Sequence, residues 1–298
     1  MCAVTAQSRA GVQVLMATAL LMSASWSRAA EPLGVPRPLS TREIEVIGGR
    51  IVSSGESPWQ VALVSSIGTN HVEGVFCGGT LIDSQWVLTA GHCLYDPKNC
   101  VQLTRQAFFV AYGSTDLGKK VSLMAPAELR PGKGYSCGSK SNDIALIGLR
   151  EPVSMSAFVQ LPSPAQAATL VVPGARFMTT GWGLTEANGW KSRELLAVEV
   201  PVIQYDACKA HYGSVLPAKA ICAGEVGKDA CTGDSGGPLY QRMTDGRAVQ
   251  LGIVSFGDSC GKATSPGVYT PVAEYLAWIE EVRKPKPCTA QDIANRIC

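Results

Sequence analysis

Short apolar runs separated by glycine, proline, serine or asparagine recur along most of this chain, and three of them have the length and content of strands. They are Trp59-Gln60-Val61-Ala62-Leu63-Val64, Ala107-Phe108-Phe109-Val110-Ala111-Tyr112 and Leu251-Gly252-Ile253-Val254-Ser255-Phe256. Only residues 271–284 carry a clear helical period, with Val272, Tyr275, Leu276 and Ile279 on one face at i, i+3, i+4 and i+7. Pro285-Lys286-Pro287 then breaks that helix, because proline removes a backbone donor and clashes with the preceding turn. The pattern predicts an all-β fold closed by a C-terminal helix, with a tail over 285–298.

The first 45 residues do not share the pattern. Residues 12–22 are an apolar run of 11 after Arg9, followed by Ser27-Arg28-Ala29-Ala30, the layout of a secretory signal peptide cleaved after Ala29. Eleven residues are too few to span a bilayer, which takes about 20. Residues 30–45 are polar, contain three prolines and suit a pro-segment. The folded unit is therefore expected over 46–284, with a first half to about 155 and a second over 156–270. The expected destination is outside the cell, or the periplasm if the source is bacterial.

Composition narrows the class. Of 298 residues 46% are hydrophobic and 17% charged, and the net charge of +2 is spread without blocks. A large core is available, whereas nothing supports a nucleic-acid or acidic-membrane partner. Glycine (31) and proline (18) fit many short strands joined by turns. There are 11 cysteines, and loss of Cys2 with the signal leaves an even ten, which in an exported chain reads as five disulfides. Zinc competes poorly, since paired metal-knuckle spacing is absent and the chain has three histidines. No metal and no cofactor are expected.

The chemistry is concentrated in three segments. Gly233-Asp234-Ser235-Gly236-Gly237-Pro238 brackets a serine with glycines, so that backbone N–H groups can crowd the place where an oxyanion forms. A serine hydroxyl needs a base, and Thr89-Ala90-Gly91-His92-Cys93 supplies an imidazole of suitable pKa. Asn142-Asp143-Ile144-Ala145-Leu146 supplies a carboxylate to fix the tautomer of His92 and stabilise its charged form. His71 and His211 read as surface residues.

With these segments in the order His, Asp, Ser, the chain resembles the chymotrypsin/trypsin family of serine proteases over residues 46–284. Pro58-Trp59-Gln60-Val61, Phe76-Cys77-Gly78-Gly79-Thr80-Leu81-Ile82, Thr180-Gly181-Trp182-Gly183, Ser255-Phe256-Gly257 and Pro266-Gly267-Val268-Tyr269-Thr270 carry the same resemblance. It implies two six-stranded antiparallel β-barrels with the active site in the cleft between them. His92, Asp143 and Ser235 become the catalytic triad, and the N–H groups of Gly233 and Ser235 the oxyanion donors. It also implies bridges Cys77–Cys93, Cys208–Cys222 and Cys231–Cys260. The four remaining cysteines are paired as Cys100–Cys137 and Cys288–Cys298, the latter closing a short tail.

By the same resemblance Asp229, six residues before Ser235, lies at the base of the primary substrate pocket, with Ser255, Gly257 and Gly267 in its walls. Such a pocket takes Arg or Lys, and Ala230, where trypsin has a serine, favours Arg. The family's calcium loop falls at 113–121, which offers Asp116 without a second acid. Family members are made as zymogens whose new N-terminus pairs with the acid before the nucleophile, here Asp234. Counting back 12 residues from Pro58 puts that terminus at Val46, so the cut follows Glu45 and not Arg50 or Arg42. Expected partners are protein or peptide substrates with Arg or Lys and an activating protease, one specific for glutamate among the candidates; the enzyme is expected to be a monomer. The competing class is a non-catalytic binding relative, and within the enzyme class a narrow processing protease competes with a digestive one.

Overall fold

The computed structural model describes residues 49–67, 70–185, 189–258 and 265–284. The segments expected to be a signal peptide and a pro-segment, with Glu45 and Val46, and also Cys260 and the tail with Cys288 and Cys298, lie outside the described residues. Fourteen strands are present among those described: β1 (Arg50–Ile51), β2 (Gln60–Ser65), β3 (Val75–Leu81), β4 (Trp86–Thr89), β5 (Phe108–Tyr112), β6 (Ser122–Met124), β7 (Pro126–Pro131), β8 (Ala145–Leu149), β9 (Arg176–Gly181), β10 (Leu196–Ile203), β11 (Ile221–Ala223), β12 (Pro238–Arg242), β13 (Ala248–Phe256) and β14 (Gly267–Pro271). The three runs read as strands correspond to β2, β5 and most of β13.

The strands form two antiparallel sheets. One runs β6-β5-β2-β3-β4-β8-β7, and its edge strands β6 and β7 are consecutive in the chain with only Ala125 between them, so the sheet curls round on itself. The other runs β10-β11-β14-β13-β12-β9 and closes as a six-stranded barrel by pairing β9 with β10, while β1 is added outside β10. Arg50–Ile51, placed by the sequence in the first half, therefore pairs with the second. The all-β class and the two-barrel plan hold.

Buried residues from both halves and the C-terminal helix meet in a common core that includes Trp59, Leu81, Leu88 and Ile147 from the first half, Tyr240 and Ile253 from the second, and Val272 and Ile279 from the C-terminal segment. Within it, two polar pairs cross between the sheets. Thr180 Oγ1 donates to Gln60 Oε1 at 2.8 Å, and Thr80 Oγ1 donates to Gln250 Oε1 at 2.6 Å. All four residues are buried, so the hydroxyls and amides satisfy one another in place of water.

The C-terminal segment begins as a tight 3-10 turn over Val272–Tyr275 and becomes α-helical over Leu276–Arg283, with Val272 and Ile279 buried as the period requires. Three further α-helices are present among the described residues: His71–Gly74, Pro164–Leu170 and Tyr205–Tyr212. They are too short to show a period, but Pro164–Leu170 has a start signal in its capping box, where Ser163 and Gln166 bond reciprocally. No helix among the described residues is long and apolar enough to cross a membrane.

Candidate active site

Pairing of β4 with β8 sets Thr89 opposite Ala145, which brings the turn after β4 against the residues before β8. His92 lies in that turn, Gly91–Leu94, and the Cys77–Cys93 disulfide ties it to β3. Asp143 accepts from the backbone N–H of His92 at 2.7 Å through Oδ1, and its Oδ2 lies 2.9 Å from His92 Nδ1. The Ser255 hydroxyl also donates to Oδ2. Ser255 reaches it because the β13–β14 register slips between Val254 and Phe256, leaving Ser255 out of the ladder. Burial pushes the Asp143 carboxyl up, but attraction to His92 and the bonds from His92 and Ser255 outweigh it and hold the group below its ordinary range. Thr270 Oγ1 donates to the Asp143 carbonyl at 2.9 Å.

Ser235 sits in the loop before β12 and is clamped by its backbone. Its carbonyl accepts from Gly78 N at 2.7 Å, and Gly236 N donates to Val254 O at 2.8 Å. Gly236 has φ +80°, and a Cβ there would lie 2.2 Å from Thr89 Oγ1, so only glycine fits. The N–H groups of Gly233 and Ser235 donate to no acceptor among the described residues. His92 and Ser235 line the same cleft without a side-chain hydrogen bond between them, a contact that commonly tightens only with substrate in place.

Asp234 is buried and accepts from Gly183 N and Cys231 N, both at 2.8 Å. Burial pushes its carboxyl up to about 6, against the two N–H bonds that favour the charged form. A Cβ at Gly181 would lie 1.9 Å from Asp234 Oδ1, which explains why Thr180-Gly181-Trp182-Gly183 has no side chain there.

The cleft has a volume of about 250 Å³ and is lined by His92, Lys140, Asp229, Ala230, Cys231, Thr232, Ser235, Val254, Ser255, Phe256, Gly257 and Gly267. Asp229 is buried within it. A Cβ at Gly267 would come 2.8 Å from Asp229 Oδ1, whereas one at Gly257 would meet nothing nearer than 3.8 Å among the described residues. A roomier hollow of about 790 Å³ beside Trp59, Phe158 and Arg247 shares no lining residue with this cleft. The residues singled out in the sequence for nucleophile, base and pocket thus converge on one cavity. Lys140 was not singled out, and Thr270 entered only as the last residue of a resemblance motif with no role given; Lys140 stands three residues before Asp143, so its place in the chain was the available signal.

Cys208 is bonded to Cys222 and Cys100 to Cys137. Cys231 is also disulfide-bonded; its expected partner Cys260 lies outside the described residues. His211 lies at the surface with Nε2 2.9 Å from Asp258 Oδ2.

A family model described as Trypsin matches residues 46–279, well over half of the chain. The chain belongs to the trypsin family. Over 253 residues it is 35% identical to the protein named Transmembrane protease serine 11G of Rattus norvegicus, an alignment covering 83% of this chain and 57% of that one. The chain thus spans little more than half the length of that curated relative. In this member of the trypsin family Asp116, the acid in the segment of the family's calcium loop, is held by Arg193 through bonds of 2.6 and 3.0 Å. That pairing keeps its carboxyl down, at about 2.

Proposed function

We propose that this serine protease cuts peptide bonds after Arg, and more slowly after Lys, through an acyl-enzyme formed on Ser235. His92 takes the hydroxyl proton as Ser235 Oγ attacks the scissile carbonyl, and Asp143 stabilises the resulting imidazolium. The oxyanion receives the N–H groups of Gly233 and Ser235. Collapse of the intermediate breaks the C–N bond, and His92 returns the proton to the departing amine. Water then repeats the sequence on the ester and frees the acid product and Ser235.

The observation that carries this reading is the buried carboxylate of Asp229 in the same cleft as His92 and Ser235. A carboxylate so placed costs free energy to keep from water, and a guanidinium entering the cleft recovers that cost where an apolar side chain does not. Ala230 beside it offers no hydroxyl to solvate an ammonium, which favours Arg over Lys. The test is kcat/KM on peptides differing only at the residue before the cut. Arg above Lys, with Phe and Leu negligible, supports the reading. Retained cation preference in Asp229→Ser would sink it. Labelling of Ser235 by an active-site serine reagent separates the enzyme from a non-catalytic binding relative.

The enzyme is made as a zymogen, exported by its N-terminal signal and activated by cleavage after Glu45, so that the Val46 ammonium pairs with Asp234. The arrangement at Arg50 supports this choice over the basic site Arg50-Ile51. Both residues pair with β10, and Arg50 bonds both oxygens of Glu56 at 2.9 and 2.5 Å. A protease needs an extended, accessible segment, and this one is committed to a sheet.

A further inference from the structure

Two paths lead to the Asp234 carboxylate, and both run through residues 192–195. Gly183 N donates to Asp234 Oδ1 at 2.8 Å, and the Gly183 carbonyl accepts from Ser192 N at 3.1 Å. From the N-terminal side, Val52 N donates to Leu195 O at 2.8 Å, and Val52 stands six residues after Val46, the residue proposed to deliver the ammonium. Whatever fixes 192–195 therefore fixes a donor already on Asp234 and the strand by which the new terminus approaches it.

That segment is gripped from the other half of the molecule. Arg193 presents Nε to Asp116 Oδ1 at 2.6 Å and Nη2 to Oδ2 at 3.0 Å, a fork on both carboxylate oxygens. Its backbone carbonyl accepts from Leu117 N at 3.0 Å. Leu195 N donates to Thr115 O at 2.6 Å, the carbonyl that also receives the Trp182 indole N–H at 3.2 Å. A Cβ at Gly118 would lie 2.2 Å from Arg193 Nε, so the guanidinium needs bare backbone there. Around these bonds Val52, Leu117, Trp182 and Leu195 are buried in one cluster with Ala62, Val64 and Ala111 of the first sheet.

Exposed ion pairs contribute little on their own, and Arg193 keeps more than half of its side chain in water. Two features set this pair apart. The fork is bidentate, and Asp116 is buried, so loss of the guanidinium leaves a carboxylate away from water with only Gly118 N at 2.9 Å and the Lys119 ammonium at 3.4 Å beside it. Neither Arg193 nor Asp116 lines the substrate cleft, so any effect on cutting must travel through position.

We infer that Arg193 is a positioning residue: clasped by Asp116, it holds residues 192–195 where Val46 and Gly183 both reach Asp234, and so sets how firmly the activated chain is kept in its working form. The inference rests on the pairing of Val46 with Asp234 proposed above. Because Asp234 precedes the nucleophile, a loosened segment acts on the N–H groups of Gly233 and Ser235 without touching the cleft.

The test is the alkaline limb of kcat/KM on an Arg peptide, measured on the activated full chain. That limb reports loss of the Val46 ammonium, and the firmer its pairing, the higher the pH at which activity falls. Tyr269, which feels the charges of Asp229 and Asp234, is pushed well up by burial and does not titrate there. Arg193→Ala should weaken the pairing roughly fivefold, the size of one well-placed surface ion pair. The alkaline midpoint should then drop by about 0.7 unit, the logarithm of that factor, while activity at neutral pH falls less than about twofold. The acid limb set by His92 should stay in place. Asp116→Asn should move the alkaline midpoint the same way, and the double variant no further than either single one. Arg193→Lys keeps the charge without the fork and should fall between wild type and Arg193→Ala, in a chain whose packing is least disturbed. An unmoved midpoint in both single variants, or a lower melting temperature with no shift of the limb, would overturn the positioning role. Shifts that add in the double variant would overturn the clasp as their cause. Full activity in Asp234→Asn would instead remove the pairing on which the clasp acts.

Discussion

Ser255 donates its hydroxyl to Asp143 Oδ2, the oxygen that also faces Nδ1 of His92. The wall of the substrate cleft and the carboxylate behind the base are therefore joined by one bond. Hydrogen bonds to a charged group contribute about 1.5–3 kcal/mol. Ser255→Ala should lower kcat by about tenfold or somewhat more, with KM for Arg substrates changed less. Asp143→Asn, which removes the charge, should cost roughly four orders of magnitude. Steady-state kinetics at neutral pH decide between them, and a Ser255→Ala enzyme equal to wild type would show that the bond has no weight in catalysis.

The nucleophile is the most direct target. Ser235→Ala should give a folded protein whose hydrolysis is lower by several orders of magnitude. Residual activity within tenfold of wild type would exclude Ser235 from that role.

Two buried carboxylates should pull stability in opposite directions as pH changes. Asp143 has a folded pKa below its unfolded value, so its contribution is full above the ordinary carboxylate range and is lost as pH falls through the folded value. Asp234 has a folded pKa raised to about 6 by burial. Between about 4 and 6 the native state then holds a proton that the unfolded chain has released, and stability falls as pH rises. A shift of about two units corresponds to about 3 kcal/mol. Melting of uncleaved Ser235→Ala protein from pH 4 to 7 should show this loss, and adding Asp234→Asn should flatten it. A melting curve with the same pH slope in both proteins would rule out Asp234 as the source.

The two pocket glycines should behave differently. Gly267→Ala places a methyl 2.8 Å from Asp229 Oδ1 and 3.2 Å from the Tyr269 ring, so both Arg hydrolysis and thermal stability should fall. Gly257→Ala meets no wall nearer than 3.8 Å among the described residues and should leave the melting temperature within a degree or so while raising KM for Arg. Paired kinetics and calorimetry separate the two cases.

Sequencing of the active enzyme from its N-terminus should begin at Val46. A start at Ile51 in fully active protein would overturn the register, since it requires a cut inside β1.

Much of this was legible because local rules and long-range demands coincide. The alternation in β5 and the apolar content of β2 and β13 reflect burial, and glycines at 181, 233, 236 and 267 stand where a Cβ would strike a neighbour. Less was legible where the reason is distant. The edge strands β6 and β7 form a near-continuous segment that no period marks. The short helix Tyr205–Tyr212 buries only Cys208 and Tyr212. Lys140 has no motif of its own, and its place at the cleft depends on the loop held by Cys100–Cys137 and on Tyr275, 135 residues further along the chain. Ser255 was assigned to the pocket wall, but its bond to Asp143 follows from a slip in register that side-chain patterns do not encode.

His92 and Ser235 belong to different halves of the molecule, and the gap between them is spanned by polar crossings: Gln60 with Thr180, Thr80 with Gln250, and, beside the site, Gly78 with Ser235 and Ser255 with Asp143. Greasy surfaces can slide past one another at little cost, while a directional bond tolerates only a small offset before it breaks. The crossings thus act as dowels between two curved plates, giving less to cohesion than to alignment. A joint of this kind goes out of true before it comes apart, and warming should blunt the enzyme's cutting edge while both plates are still whole.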